Sequence, residues 1–383
     1  MSVTAPAGFR AAGVAAGLKS SGAPDVALVV NDGPHDSAAA VFTTNRFPAA
    51  PVLWSRQVLL DGRLRAVVLN SGGANACTGT DGFADTHATA EHTAAALGLG
   101  AVDVAVASTG LIGVRLPMDR LLPGVTAAAG ALGADGGPDA ARAIMTTDSV
   151  PKTTVVERDG WSVGGMAKGA GMLAPSLATM LVVLTTDARV EPAVLQEALQ
   201  SATGVSLERV DSDGCLSTND TVIALANGAS GVAPGAGEVA DALTAAATDL
   251  AMQLLADAEG STKDIAITVR NAASVRDALT AGRACARNNL LKTALFGNDP
   301  NWGRVLAAIG TTDAAFEPDR VDVAINGVTV CRGGAIGDPR EGVDLTGRAV
   351  TIDVDLRAGT EQATIWTNDL SIAYVHENSA YST

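Results

Sequence analysis

Short apolar runs rich in valine, isoleucine and leucine alternate along the chain with longer alanine-rich stretches, and turn residues separate them. The apolar runs predict strands, and the alanine-rich or amphipathic stretches predict helices. The predicted strands cover residues 26–30, 39–43, 64–69, 102–107, 153–157, 161–166, 221–226 and 264–269, and further strands follow between 321 and 374. The predicted helices cover residues 83–99, 117–132, 138–145, 192–202, 238–258 and 273–287. With 42 glycines and only 3% aromatic residues, this alternation indicates layers that pack closely through alanine and glycine.

One stretch, Gly164 to Asp187, departs from this alternation of strands and helices, because a glycine- and proline-rich loop is predicted to run directly into a buried strand. The loop is predicted to extend to Pro175. It contains Lys168, either as a charge that points into a site or as a solvated loop lysine. A hydroxyl residue at such a junction is how self-cleaving proteins present a nucleophile. The pattern therefore predicts cleavage between Ala178 and Thr179, after which Thr179 performs the chemistry.

Composition narrows the classes of partner. Apolar residues make up 47% of the chain and charged residues 17%, which is typical of a globular protein. The formal net charge is −15, and no cluster of lysine and arginine stands out, which argues against nucleic acid or an anionic membrane as a partner. The apolar runs fall short of the roughly 20 residues of a membrane span, and the N-terminus lacks a secretory pattern, so a cytoplasmic location is expected. The four scattered cysteines predict buried free thiols and neither a disulfide framework nor a zinc site.

Three polar loops carry candidate chemistry. Asn70–Cys77 follows a predicted strand, and its two glycines suit either a turn that aims backbone N–H groups at a ligand or an ordinary surface turn. Thr109 and Gly110 follow the next strand and could supply one O–H and one N–H group to an oxyanion, although such dipeptides are common in turns. Thr146 and Thr147 lie in a cluster that fits either a turn or ligand contacts.

Features in the second half of the chain could also serve a site. Residues 238–258 predict the clearest amphipathic helix, and Glu259 follows it. The helix dipole disfavours a carboxylate at that end, so Glu259 either has another use or is an ordinary solvated residue. Residues 211–220 include two close aspartates without the spacing of an EF-hand, so no metal is expected. The polar end, residues 375–383, is expected to fray unless it closes over a site.

Taken together, these stretches resemble the ornithine acetyltransferases, which are also called glutamate N-acetyltransferases or the ArgJ family, over nearly the whole chain. Each stretch alone is unspecific, but their order and spacing are specific. The matching stretches are 70–76, 108–113, 145–148, 166–172, 178–181, 213–220, 259–263, 297–304 and the tail from His376 onwards. One departure is Ser149, where the family more often has threonine, and it keeps the hydroxyl group.

The resemblance implies an α/β fold of layered sheets and helices, similar in outline to the N-terminal-nucleophile hydrolases but connected differently. It also implies self-cleavage into two chains that stay associated as an α2β2 assembly. Residues 1–178 would form an α chain with the oxyanion hole and substrate-binding loops. Residues 179–383 would form a β chain with the nucleophile at its start and a tail that closes over the substrate.

The resemblance also assigns roles to single residues. It implies that Thr179 is the nucleophile and that Thr109 and Gly110 form the oxyanion hole. The substrate contacts that it implies are Thr146 or Thr147, Lys168, Thr179, Glu259, Asn378 and Thr383. The role of Glu259 stays open between binding the donor's side-chain ammonium group and acting near the nucleophile.

The implied reaction moves an acetyl group from N2-acetyl-L-ornithine to L-glutamate in ping-pong order, through an acetyl ester of Thr179. It releases ornithine and N-acetylglutamate, serves arginine biosynthesis and needs no cofactor, although acetyl-CoA as a second donor stays open. Secondary metabolism of the clavulanic acid type is an alternative setting. Two rival interpretations are an N-terminal-threonine peptidase or amidase, in which water takes the acyl group, and a non-catalytic scaffold.

Overall fold

The structure is a computed structural model, and it describes residues 2–172 and 180–380. The strands in these ranges are β1 (Phe9–Val14), β2 (Val26–Asn31), β3 (Ser37–Phe42), β4 (Ala66–Asn70), β5 (Val104–Ser108), β6 (Lys152–Arg158), β7 (Trp161–Lys168), β8 (Leu181–Thr186), β9 (Thr221–Ala226), β10 (Asp264–Ala272), β11 (Asp322–Ile325), β12 (Val328–Arg332), β13 (Ala335–Ile336), β14 (Ala349–Asp355) and β15 (Glu361–Asn368). The helices are α1 (Ala50–Val58), α2 (Gly79–Leu97), α3 (Met118–Gly130), α4 (Gly137–Ala143), α5 (Pro192–Val205), α6 (Ala236–Ala256), α7 (Val275–Ala286), α8 (Asn289–Phe296), α9 (Trp302–Ile309) and α10 (Ile372–Ala380).

The described strands form three sheets. The first has the order β1-β2-β4-β5, and its pair β4 and β5 is parallel. The second has the order β3-β9-β8-β7-β6, in which β8 and β9 are parallel and β7 is antiparallel to β8. The third has the order β13-β12-β11-β14-β10-β15. Strands β4 and β5 therefore end side by side, at the pair Asn70 and Ser108, and Lys168 at the end of β7 pairs with Leu181 at the start of β8.

Strand β8 separates two hydrophobic cores. Leu181 and Val183 point into a core that they share with the first sheet and with α1 to α4. Val182 and Leu184 point the opposite way, into a core formed with α5 and α6. This alternation follows from the two-residue period of a strand. A third core lies between the third sheet and helices α7 and α9. The predicted α/β class of layered sheets and helices is therefore confirmed.

Helix α6 is the one helix among the described residues that is long and apolar enough to cross a membrane by length and composition. Nine of its residues are nevertheless buried inside this chain, and they recur at helical spacing from Val239 to Leu255. They pack against α5 and against strands β6 and β7. A single buried stripe of this kind is what a core helix presents to the layers around it.

The loop prediction fails at the start of the glycine-rich stretch. Gly164 and Gly165 were predicted both as part of a strand, 161–166, and as the start of the glycine-rich loop. They belong to β7 and pair with β8, so the strand prediction is confirmed and the loop starts later than predicted. Close packing explains these glycines, because a Cβ atom at Gly164 would lie 2.3 Å from the carbonyl oxygen of Ser2. Lys168 is therefore on a strand and not in a flexible loop.

Three smaller predictions also differ from the structure. Strand β1 was not predicted, and the last described segment is helix α10, whereas a strand was predicted to reach Tyr374. Cys285 and Cys331 are buried free thiols, as predicted. Cys77 and Cys215 are exposed, because they lie in loops outside the layers.

Candidate active site

A cleft opens where loops from the first two sheets meet the end of helix α6 and the C-terminal helix. Its lining includes the predicted residues Thr109, Gly110, Thr146, Thr147, Lys168, Glu259 and Asn378. The other lining residues are Ala74, Ile112, Gly171, Met172, Ser217, Thr218 and Asn219. The predicted residues Ala178, Thr179 and Thr383 lie outside the described part of the chain. The fold thus brings residues from seven separate loops and elements to one place.

Thr109 and Gly110 directly follow β5 at the wall of the cleft. The Thr109 N–H group donates to the carbonyl oxygen of Asn70 at 3.0 Å, so this residue offers its hydroxyl group and not its amide to the cleft. Gly110 has φ of +131°, and a Cβ atom there would lie 2.9 Å from the N and Cα atoms of Gly73. Only glycine fits this close approach. The two loops are therefore packed together through glycine on both sides.

Asn219 joins these two loops to the loop before β9. Its Nδ2 atom donates to the carbonyl oxygen of Ala74 at 2.6 Å and to that of Ser108 at 2.8 Å. Its side chain is buried, so both hydrogen bonds are protected from water. Asn219 was recognised only as part of a matching stretch, and its bridging role depends on contacts 145 and 111 residues away in sequence.

Lys168 is buried at 2% exposure, although its side chain reaches the cleft. Its Nζ atom donates to Thr109 Oγ1 at 3.3 Å. Burial lowers the pKa of Lys168 from its ordinary value, and the carboxylates of Asp148, Asp220 and Glu259 oppose that shift. A buried ammonium group at the wall of a cleft attracts an anionic ligand group such as a carboxylate.

Glu259 also lines the cleft, next to Asn378 of helix α10. Its N–H group donates to the carbonyl oxygen of Ala170 at 2.9 Å, and its Oε2 atom accepts a hydrogen bond from Asn378 Nδ2 at 2.9 Å. Gly171 permits this arrangement, because a Cβ atom there would lie 2.5 Å from the Glu259 carboxylate. Residues 372–380 therefore form a helix beside the cleft, and closure over a substrate stays a prediction.

The start of helix α10 packs against Gly260. Ser371 Oγ donates to the carbonyl oxygen of Gly260 at 2.6 Å and accepts from the N–H group of Tyr374 at 2.9 Å. Gly260 has φ of +60°, and a Cβ atom there would lie 2.2 Å from the Tyr374 backbone nitrogen. A side chain at this position would push the start of α10 away from the cleft.

We expect Gly260→Ala to detach α10. The left-handed conformation costs alanine about 1–2 kcal/mol, and the contact with Tyr374 adds to it. Amide hydrogen exchange in residues 372–380 should therefore accelerate at least about tenfold. The matched control is Gly237→Ala, because a Cβ atom at Gly237 meets nothing within 4 Å. Equal exchange rates in both variants would contradict the role of Gly260.

Asp220 was part of a predicted polar loop, but its individual importance was missed. The residue is fully buried, and its Oδ1 atom accepts a hydrogen bond from the Met180 N–H group at 3.1 Å. Its Oδ2 atom has no hydrogen-bond partner among the described residues. The hydroxyl of Thr43 lies nearby, but it donates to the carbonyl oxygen of Ser217 at 2.6 Å. Burial raises the pKa of Asp220 well above its ordinary value.

The described residues contain no group of histidine, cysteine, aspartate and glutamate side chains that could hold a metal ion. Asp211, one of the two close aspartates in the loop before β9, pairs with Arg287 at 2.8 Å. The site therefore offers hydroxyl, amide, ammonium and carboxylate groups, which suit acyl transfer to and from substrates that carry carboxylate and amine groups.

Comparisons with known proteins agree with this chemistry. A family model described as the ArgJ family matches residues 10–383. The chain is 66% identical to the arginine biosynthesis bifunctional protein ArgJ of Streptomyces coelicolor and 63% identical to that of Thermobifida fusca, and each match covers 100% of both chains. It is also similar to an ornithine acetyltransferase from Mycobacterium tuberculosis, whose structure was solved in complex with ornithine. That match has 63% identity and a TM-score of 0.45, and it covers 47% of this chain and 96% of the other.

Proposed function

This chain belongs to the ArgJ family, and on that premise we propose how it transfers acetyl groups in arginine biosynthesis. It is an acyltransferase, and the family match over residues 10–383 carries that conclusion. The donor in our proposal is N2-acetyl-L-ornithine, the acceptor is L-glutamate, and the products are ornithine and N-acetyl-L-glutamate. Between the two half-reactions the acetyl group is bound covalently as an ester of Thr179.

Self-cleavage creates the nucleophile in this proposal. Thr179 Oγ attacks the carbonyl carbon of Ala178, and the peptide nitrogen leaves as the new α-amino group. Water then opens the resulting ester, which leaves a carboxylate on Ala178 and a free hydroxyl on Thr179. The reference pKa of an α-amino group is roughly 8, so a useful fraction is neutral near pH 7 and can act as the base for that hydroxyl.

The pairing of strands supports two chains that stay together after cleavage. Strand β7 would belong to the α chain, residues 1–178, and its neighbour β8 to the β chain, residues 179–383, yet they pair over six residues from Val163 to Lys168. Strand β3 of the α chain pairs in the same way with β9 of the β chain. Cutting one peptide bond would leave both ladders intact. The α2β2 assembly and the cytoplasmic location stay predictions from the sequence.

In the first half-reaction, Thr179 Oγ attacks the acetyl carbonyl carbon of the donor while the α-amino group takes the hydroxyl proton. The carbonyl oxygen becomes an oxyanion, which accepts hydrogen bonds from Thr109 O–H and Gly110 N–H. Since Thr109 Oγ1 accepts from Lys168, its own proton remains available for that bond. The oxyanion collapses, and the N2 amine of ornithine leaves with the proton. Glutamate reverses these steps with its own amine.

The charged groups of the cleft bind the parts of the substrates that do not react. Lys168 is suited to the α-carboxylate, because that carboxylate is common to donor and acceptor and the Lys168 ammonium group lines the cleft. Glu259 is suited to the side-chain ammonium of ornithine, and Asn378 holds the Glu259 carboxylate in place. Thr146 and Thr147 both line the cleft, so either hydroxyl group can complete the binding site. Thr179 and the terminal Thr383 complete the set of substrate contacts in our proposal.

We expect incubation with N2-acetyl-L-ornithine and L-glutamate to yield N-acetyl-L-glutamate and ornithine in equal amounts. Mass spectrometry of the products checks this. Free acetate without acetylglutamate would instead identify a threonine peptidase or amidase, and no turnover of any acyl compound would indicate a scaffold. Since the relatives are named bifunctional, a parallel assay with acetyl-CoA tests a second donor. Their names also favour arginine biosynthesis over a clavulanic acid-type pathway.

A further inference from the structure

A buried network of charges lies behind the cleft, and Asp148 is at its centre. Asp148 Oδ1 accepts hydrogen bonds from Lys152 Nζ at 2.7 Å and from the Gly169 N–H group at 2.6 Å. Its Oδ2 atom accepts from the Thr146 N–H group at 2.9 Å. Gly169 directly follows Lys168, and Thr146 lines the cleft. One carboxylate therefore fixes the loop of Thr146 and the end of β7, which carries Lys168.

The network continues to the third binding element. Lys152 is completely buried, and its Nζ atom also contacts Asp257 Oδ2 at 2.6 Å. Asp257 follows helix α6, two residues before Glu259, and its Oδ2 atom accepts from the Ser149 N–H group at 3.0 Å. The loop of Thr146, the end of β7 at Lys168 and the end of α6 are thus tied to one another through Asp148 and Lys152.

Two lysines act on the charge of Asp148. Lys152 contacts it directly at 2.7 Å. Asp148 also faces Lys168, for which it is the strongest of the favourable charges. The lysines hold the pKa of Asp148 at about 2 against the effect of burial, so this carboxyl group is ionised at neutral pH.

Resting on the proposed function, we propose that Asp148 is a positioning residue for acetyl transfer: it supplies the counter-charge of Lys168 and holds the three substrate-binding elements in register. The other charged groups that face Lys168 are the carboxylates of Asp220 and Glu259, which favour its charged form, and Lys152 and Lys19, which disfavour it. Asp148 is not among the described residues that line the cleft. It governs how well the enzyme recognises the carboxylate that every substrate carries.

The sign of the pH effect follows from this arrangement. Lys168 binds a carboxylate only while it is protonated, so recognition is present below its pKa and is lost as the pH rises through it. Removing the Asp148 charge removes the largest effect that keeps the pKa of Lys168 up. The alkaline loss of activity should therefore move to lower pH. The part of the pH profile in which activity falls at high pH is its alkaline limb. A purely structural defect would lower activity at every pH without moving the alkaline limb.

The test uses N-acetyl-L-glutamate as donor and ornithine as acceptor, which is the reverse reaction of the full-length enzyme. In ping-pong kinetics, kcat/KM for the donor reports the first half-reaction alone. N-acetyl-L-glutamate has no group that titrates between about pH 6 and 11, so the alkaline limb belongs to the enzyme. In Asp148→Asn we expect KM for this donor to rise at least about tenfold and the alkaline limb to move down by about one pH unit or more.

Asp257→Asn is the matched control, because it removes a charge from the same buried network, whereas the carboxylates that act most strongly on Lys168 are Asp148, Asp220 and Glu259. It should lower thermal stability comparably and leave the limb at its wild-type pH. Asp148→Glu keeps the charge and displaces the carboxylate, so we expect a raised KM with the wild-type limb. That variant also carries the test if Asp148→Asn does not fold.

An unmoved limb in folded Asp148→Asn would overturn the proposal, and so would an equal shift in Asp257→Asn. A shifted limb or an unchanged KM in Asp148→Glu would overturn it as well. The proposed function fails separately, if the wild-type enzyme produces no acetyl transfer with these substrates. The two failures are therefore distinguishable in one set of assays.

Discussion

Replacing Thr179 with alanine is expected to leave one intact chain of 383 residues with no transferase activity. Alanine lacks the oxygen that attacks the Ala178 carbonyl, so the precursor cannot form the ester that water opens. It also lacks the oxygen that would carry the acetyl group. A single substitution should thus abolish both the processing and the chemistry.

Intact-mass measurement under denaturing conditions checks the first effect. The wild-type protein should give two masses that correspond to residues 1–178 and 179–383, and Thr179→Ala should give one species of about 38.3 kDa. Native chromatography should not separate the wild-type fragments, because β7 and β8 remain paired in one sheet. Thr179→Ser is the control, since it keeps a hydroxyl group and should still be cleaved.

Two results would contradict this mechanism. If Thr179→Ala gave two fragments, another residue would be the nucleophile for cleavage. If it gave one chain that still made N-acetyl-L-glutamate at the wild-type rate, the acetyl group would not pass through Thr179. Measuring mass and turnover on the same preparation separates these cases.

The sequence could predict those parts of the site that follow directly from local structure. Thr109 and Gly110 come directly after β5, and the ends of neighbouring parallel strands lie at one edge of a sheet. The strand that follows the glycine-rich stretch and the amphipathic helix before Glu259 were also readable from their periodicity. Local pattern therefore places these groups at the ends of regular elements.

Other features depend on contacts that no local pattern records. The glycines before Lys168 have the composition of a loop, but the approach of Ser2 to Gly164 places them in a strand. Lys152 and Asp257 are 105 residues apart in sequence, so only the fold brings them together. The polar C-terminal segment suggests a frayed tail, whereas a contact with Gly260 seats it as a helix. In each case tertiary packing overrides the local preference.

The oxyanion hole gives the second large effect, and Thr109→Val tests it. Valine has nearly the shape of threonine, so this change removes the hydroxyl group at almost constant volume. The side chain is 1% exposed and follows a strand, where a β-branched residue fits well. We expect kcat to fall about 10²- to 10³-fold, or by about 3–4 kcal/mol in transition-state stabilisation.

The reason for a fall in kcat lies in when the hydrogen bond forms. The Thr109 hydroxyl would donate to an oxygen that is negative only in the tetrahedral state, so its loss affects the transition state more than substrate binding. The same oxyanion forms during self-cleavage, and cleavage should slow as well. Rates must therefore be divided by the cleaved fraction, which intact-mass measurement provides.

Thr109→Ser separates the hydroxyl group from the methyl group, and it should retain most of the wild-type kcat. Lys168 also loses an acceptor in the valine variant, since its Nζ atom donates to Thr109 Oγ1. A change confined to KM would therefore mean that Thr109 acts only by orienting Lys168. A large fall in kcat with rescue by serine requires a donor at the oxyanion. Because the Thr109 amide is already bonded to Asn70, that donor can only be the hydroxyl group.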